Sequence, residues 1–163
     1  MNIVLTGMSG CGKTTVAQVF KSSGKTVVDT DCLIEKRHGK ISEIFARSGE
    51  RYFRDLETRA VKEVSALEGV VIATGGGCVL RAENVELLKA NGKIFYLRAR
   101  TDTLIKRLEG DTARPLLKGG VRDRIIKLYS ERAQIYENSA DYVIDTDELT
   151  PEETANKITE LII

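Results

Sequence analysis

Gly7-Met8-Ser9-Gly10-Cys11-Gly12-Lys13-Thr14 follows directly on the strand-like run Asn2-Ile3-Val4-Leu5 and opens a helical stretch from about Lys13 to Ser22. The octapeptide meets G-x-x-x-x-G-K-[S/T] at every fixed position, in the strand–turn–helix setting that gives the pattern its meaning. Glycines let backbone N–H groups curl around phosphate oxygens, and the helix N-terminus adds positive potential there. Lys13 is placed to neutralise charge on the β- and γ-phosphates, and the Thr14 hydroxyl to ligate Mg²⁺. A nucleotide, ATP in the simplest case, is therefore expected along Gly10, Cys11, Gly12, Lys13, Thr14 and Thr15. The loop leaves open which phosphate-loop protein this is.

Outward from the loop, short apolar strands alternate with helices to the end of the chain. Thr26-Val27-Val28, Val70-Val71-Ile72-Ala73, Ile94-Phe95-Tyr96-Leu97 and Tyr142-Val143-Ile144 supply four more strands. Helices are expected around 32–36, 41–46, 49–67, 83–90, 101–109, 121–138 and 151–161. Such alternation predicts an α/β protein, a three-layer phosphate-loop NTPase fold with a five-stranded parallel sheet flanked by helices. With 163 residues and no repeat or linker-like tract, one domain over 1–163 is expected.

Composition narrows the function class. Lys plus Arg number 25 against 24 for Asp plus Glu, which argues against a broad basic surface for nucleic acid. No apolar run approaches the roughly 20 residues of a membrane span. The strand-like start leaves no room for a signal peptide, so a cytoplasmic protein is expected. Cys11, Cys32 and Cys78 have no C-x-x-C spacing, and the one histidine, His38, stands next to Gly39 as an expected turn residue. A zinc site or disulfide framework is not expected, and free thiols suit a reducing compartment. No apolar surface stripe demands a partner; a monomer is expected.

Asp29 and Asp31 straddle Thr30 at the end of the second strand, where open α/β sheets bind their ligands. Taken alone, an Asp before Cys32-Leu33-Ile34 reads as a helix N-cap. Beside a phosphate loop, phosphoryl transfer needs one carboxylate for hydrated magnesium and another for the acceptor hydroxyl's proton. Asp29 is assigned the first task and Asp31, as base at the acceptor, the second. On the 49–67 helix, Phe53, Leu56, Ala60, Val64 and Leu67 build the apolar face, with Arg54 and Glu57 close enough to pair at its margin. Glu57 would then hold Arg54 for a carboxylate, or the two form an ordinary ion pair. On the 121–138 helix Arg132 falls within the stripe of Val121, Ile125, Leu128 and Tyr136. An inward guanidinium needs an anion, either an internal carboxylate or a ligand. Gly75-Gly76-Gly77, directly after the third strand, permits a ligand to lie on bare backbone. Glycines at 110, 119 and 120 bracket Arg114 and suit a mobile flap.

In these elements the sequence resembles the shikimate kinase family. That family's succession stands here as Gly7 to Thr14, Asp29-Thr30-Asp31, Gly49-Glu50-Arg51-Tyr52-Phe53-Arg54-Asp55-Leu56-Glu57, Gly75-Gly76-Gly77, Arg114-Pro115-Leu116-Leu117 and Glu131-Arg132-Ala133-Gln134-Ile135-Tyr136. The resemblance runs from residue 2 to the end, and it implies a fold of the nucleoside-monophosphate-kinase type. It also implies that Asp31, Arg54, Gly75, Gly76, Gly77 and Arg132 contact shikimate, in a helical region of about 31–60 and the elements facing it. Arg114, in a lid of about 111–122, would close over the ATP phosphates with a catalytic role beside Lys13 and Asp31; Arg107 would lie against the adenine. A gluconate-kinase-like or nucleotide kinase would not predict F-R-x-x-E followed by G-G-G. A GTP switch would need N-K-x-D, and Asn156-Lys157-Ile158-Thr159 lacks the Asp. A catalytically silent domain sits badly with intact Lys13, Thr14, Asp29 and Asp31.

Overall fold

β1, Asn2–Thr6, is buried along its whole length. A strand with no wet face needs neighbours on both edges and a layer on each side. The computed structural model describes residues 1–109 and 120–163. In it β2 (Val27–Asp29), β3 (Val71–Ala73), β4 (Gly92–Arg98) and β5 (Tyr142–Asp145) join β1 in one sheet of order β2-β3-β1-β4-β5. Every pairing is parallel. β1 lies between β3, with Val4 opposite Ile72, and β4, with Val4 opposite Ile94.

The period of two along β1 sorts the core. Ile3 and Leu5 face α1 (Lys13–Ser22), α5 (Thr101–Glu109), α6 (Val121–Ser139) and α7 (Pro151–Ile162), in a cluster with Phe20, Leu104, Tyr136 and Ile158. Val4 points the other way, to Val61, Val64 and Leu88 of α3 (Ile41–Ser65) and α4 (Ala82–Ala90). A third cluster, Ile34, Ile44, Phe53, Leu56 and Ala60, joins α2 (Thr30–His38) to α3 beyond the sheet edge. Local chemistry sets the ends. Thr150 Oγ1 accepts the Glu153 N–H at 3.1 Å, Glu153 Oε1 accepts the Thr150 N–H at 3.0 Å, and Pro151 starts α7.

Some expected boundaries give way. The helices expected over 41–46 and 49–67 are one element, α3, broken at Gly49, where φ 82° and ψ 171° interrupt the helical backbone. Only glycine adopts that conformation cheaply, so the chain changes direction without a loop. α3 ends at Ser65, and Leu67 is 41% exposed rather than part of the apolar face. Val61, fully buried, takes that place. A turn of 3₁₀ helix over Cys78–Leu80 follows the three glycines. His38 is the exposed last residue of α2, not a turn residue. The 110–119 stretch, with most of the expected lid, lies outside the described residues.

Candidate active site

The ends of β1, β2, β3 and β5 open on one cleft of about 530 Å³. Its first wall is the phosphate loop. Gly12, in the left-handed region at φ 99°, caps α1 and, among the described residues, gives its first N–H groups no side-chain cap. These donors are left for an anion. Lys13 folds back over the loop, its Nζ donating to the carbonyls of Gly7 at 2.5 Å and Met8 at 3.1 Å. Arg107 spans the loop to the far side: Nη1 donates to Gly10 O at 3.2 Å and Nη2 to Thr146 O at 3.4 Å. Thr146, Leu149, Pro151 and Thr154 complete that end of the cleft.

Asp29 and Asp31 both line the cleft. Asp29 Oδ1 accepts the Cys32 N–H at 3.1 Å, so the N-cap reading holds for Asp29 and leaves its second oxygen for other work. Asp31 is different. Its Oδ1 is buried with no protein partner among the described residues. Burial, then Glu57 and Asp29, push its carboxyl up from 3.8 to about 6, against the opposing pull of Lys13.

The three glycines explain themselves by what a side chain would strike. A Cβ on Gly75 would stand 2.5 Å from Asp31 Oδ1. One on Gly77 would stand 2.5 Å from Nη1 and 2.6 Å from Cζ of Arg54. On Gly76 the nearest atom would be Arg132 Nη1, at 3.6 Å. Three successive residues thus each meet one charged group, brought from α2, α6 and α3. Arg54 donates to Glu57 Oε1 at 3.0 Å and Glu50 Oε1 at 3.2 Å. Glu57 is 1% exposed, and its Oε2 has no partner among the described residues. Burial raises its pKa, while Arg54, Arg81 and Arg132 pull the other way.

Asp31, Gly75 and Gly76 line the cleft; Gly77, Arg54 and Arg132 are not among its lining residues, the two guanidinium groups standing against Gly77 and Gly76. Arg114 lies outside the described residues. Ser9 and the wall made by Thr146, Leu149, Pro151 and Thr154 were not legible as site residues. The last four follow β5 with no pattern of their own, and only the position after a parallel strand could have pointed to them. Of the cysteines, Cys11 and Cys78 are buried and Cys32 is exposed.

Comparison with known proteins bears on the whole arrangement. The shikimate kinase family model matches residues 9–163. The chain is 47% identical to a shikimate kinase of Caldicellulosiruptor bescii over 96% of this chain and 92% of the relative. It is 49% identical to that of Thermodesulfovibrio yellowstonii with the same coverage. Among solved structures, shikimate kinase from Acinetobacter baumannii in complex with shikimate aligns with a TM-score of 0.89 at 35% identity, covering 99% of this chain and 92% of that one. Shikimate kinase from Bacteroides thetaiotaomicron gives 0.90 at 34% identity, over 99% of this chain and 98% of that one.

Proposed function

The chain belongs to the shikimate kinase family, and from that premise we propose how its residues divide the transfer of the γ-phosphoryl of ATP to the 3-hydroxyl of shikimate. It is an ATP-dependent kinase, and its products are shikimate 3-phosphate and ADP, a step in aromatic amino-acid biosynthesis. The observation that carries the division is the meeting of Asp31, Arg132 and Arg54 on three successive glycines beside a phosphate loop.

ATP lies along Gly10, Cys11, Gly12, Lys13, Thr14 and Thr15, with Arg107 toward the adenine. Its phosphates replace the Gly7 and Met8 carbonyls as partners of Lys13, whose charge then follows the transferring group. Arg54 and Arg132 clasp the shikimate carboxylate, a planar anion that guanidinium groups match. The backbone of Gly75, Gly76 and Gly77 receives the ring closely because nothing projects from it. Asp31 accepts the 3-hydroxyl's hydrogen bond at its unpaired oxygen and takes its proton as the phosphoryl moves. Arg114 adds a further positive charge to the phosphates.

Magnesium, when bound with the nucleotide, neutralises phosphate charge. Thr14, exposed at the start of α1, and the unused oxygen of Asp29, acting through water, suit a cation that keeps most of its own waters. A cytoplasmic location and a monomeric state belong to the same proposal; the free thiols of Cys11, Cys32 and Cys78 suit a reducing compartment.

A coupled ADP-release assay across shikimate, gluconate, quinate and nucleoside monophosphates tests the reading. Turnover with shikimate at least tenfold above the others is expected. Preferential turnover of gluconate would move the chain to the gluconate-kinase-like alternative.

A further inference from the structure

Tyr136 touches the acceptor side without a role in the division above. It is 1% exposed and stacks on Tyr96 of β4, with ring centroids 5.0 Å apart and planes at 28°. Its hydroxyl donates a short hydrogen bond to the carbonyl oxygen of Gly76. Arg132 precedes it by one helical turn, and both side chains converge on Gly76. Arg132 Nη1 lies 3.6 Å and the Tyr136 oxygen 3.8 Å from where a Cβ on that glycine would stand.

Three consecutive glycines have no side chains to hold their peptide planes, and each is unusually free to rotate. External bonds must do it. The Gly75 N–H donates to Thr30 Oγ1 at 3.3 Å. The Gly75 and Gly77 carbonyls accept from the N–H groups of Cys78 and Leu80, each at 3.1 Å. The carbonyl of Gly76 is held by Tyr136. A trans peptide is planar, so fixing that carbonyl toward α6 turns the Gly77 N–H the opposite way. The N–H groups of Gly76 and Gly77 have no protein partner among the described residues.

We infer that Tyr136 is a positioning residue for the acceptor. Its hydroxyl locks the Gly76–Gly77 peptide so that the unpaired Gly77 N–H is aimed before shikimate arrives, while the Gly76 N–H is set by the Gly75 carbonyl's bond to Cys78. The inference rests on the shikimate reading. The phenol stays a donor at neutral pH, since burial pushes Tyr136 up to about 12 even with Arg132 beside it. The stack on Tyr96 keeps the ring from following the glycines if they move.

Tyr136→Phe keeps the ring and removes the bond. The KM for shikimate is expected to rise about three- to tenfold, in keeping with the loss of one hydrogen bond, while the KM for ATP stays put. Tyr96→Phe removes the neighbouring hydroxyl, which does not touch Gly76, and should leave both constants unchanged. A purely structural role would lower the melting temperature of Tyr136→Phe with neither KM moved, and that result overturns the inference. In the unmodified protein, NMR should find a slowly exchanging Tyr136 hydroxyl proton correlated with the Gly76 carbonyl carbon. Its absence overturns the inference even if the variant does not fold. Wild-type protein that makes no ADP with shikimate sinks the substrate reading instead.

Discussion

The two halves of the cleft solve their electrostatics differently. On the nucleotide side the charge, Lys13, rests on carbonyls of its own loop, and the donors are backbone groups at a helix start. On the acceptor side the charges are brought together from three helices, and two carboxylates, Asp31 and Glu57, each keep a buried oxygen without a partner among the described residues. In the first half the lysine charge already has partners, and only backbone donors await the ligand. The second is left incomplete, which costs stability and makes the site selective for a ligand with matching donors.

That contrast can be broken most severely at Asp31. Asp31→Asn should lower turnover by about 10²- to 10⁴-fold, the usual worth of a positioned base. The same variant should melt a few degrees higher at pH 7. The folded protein holds the Asp31 proton more tightly than the unfolded chain between 3.8 and about 6, so stability is lost as pH rises through that window and Asn escapes the loss. Wild-type-like turnover or a lower melting temperature would contradict the incomplete half. Next comes Lys13→Met, expected to reduce kcat by about 10²- to 10³-fold through lost charge stabilisation. Because Lys13 serves the nucleotide half, the KM for shikimate should hardly change.

Gly77→Ala sharpens the comparison at smaller amplitude. Its methyl group would displace the Arg54 guanidinium, and the KM for shikimate should rise about tenfold or more with ATP binding intact. Equal rises for both substrates would mean that the halves are not separate. The mildest test is the pH profile. kcat/KM for shikimate should fall on the acid side with an apparent pKa near 6, set by burial of Asp31 and its anionic neighbours; Asp31→Asn should remove that limb.

The same contrast explains what the sequence disclosed. The phosphate loop is eight contiguous residues after a buried strand, so its geometry is written locally. Asp31, Arg54 and Arg132 are scattered over 102 positions of chain, and periodicity marked Arg132 only as an inward guanidinium awaiting a partner. Its apposition to Gly76 depends on α6 crossing the end of β3, which no local pattern specifies. The triple glycine signalled close approach but not of what. The Thr146–Thr154 wall carried no signal, because a turn after an edge strand has ordinary composition whether or not a base rests on it.

The break at Gly49 has a mechanical consequence. Downstream of it α3 is bolted to the interior by Phe53, Leu56 and Val61, whereas upstream only Ile44 is buried. Residues 41–48 therefore form a lever about 12 Å long at 1.5 Å per residue, pivoting on one residue that has no neighbour within 4 Å of its missing Cβ. A swing of about 10° would carry the lever's tip about 2 Å while Arg54, downstream of the pivot, stayed in place.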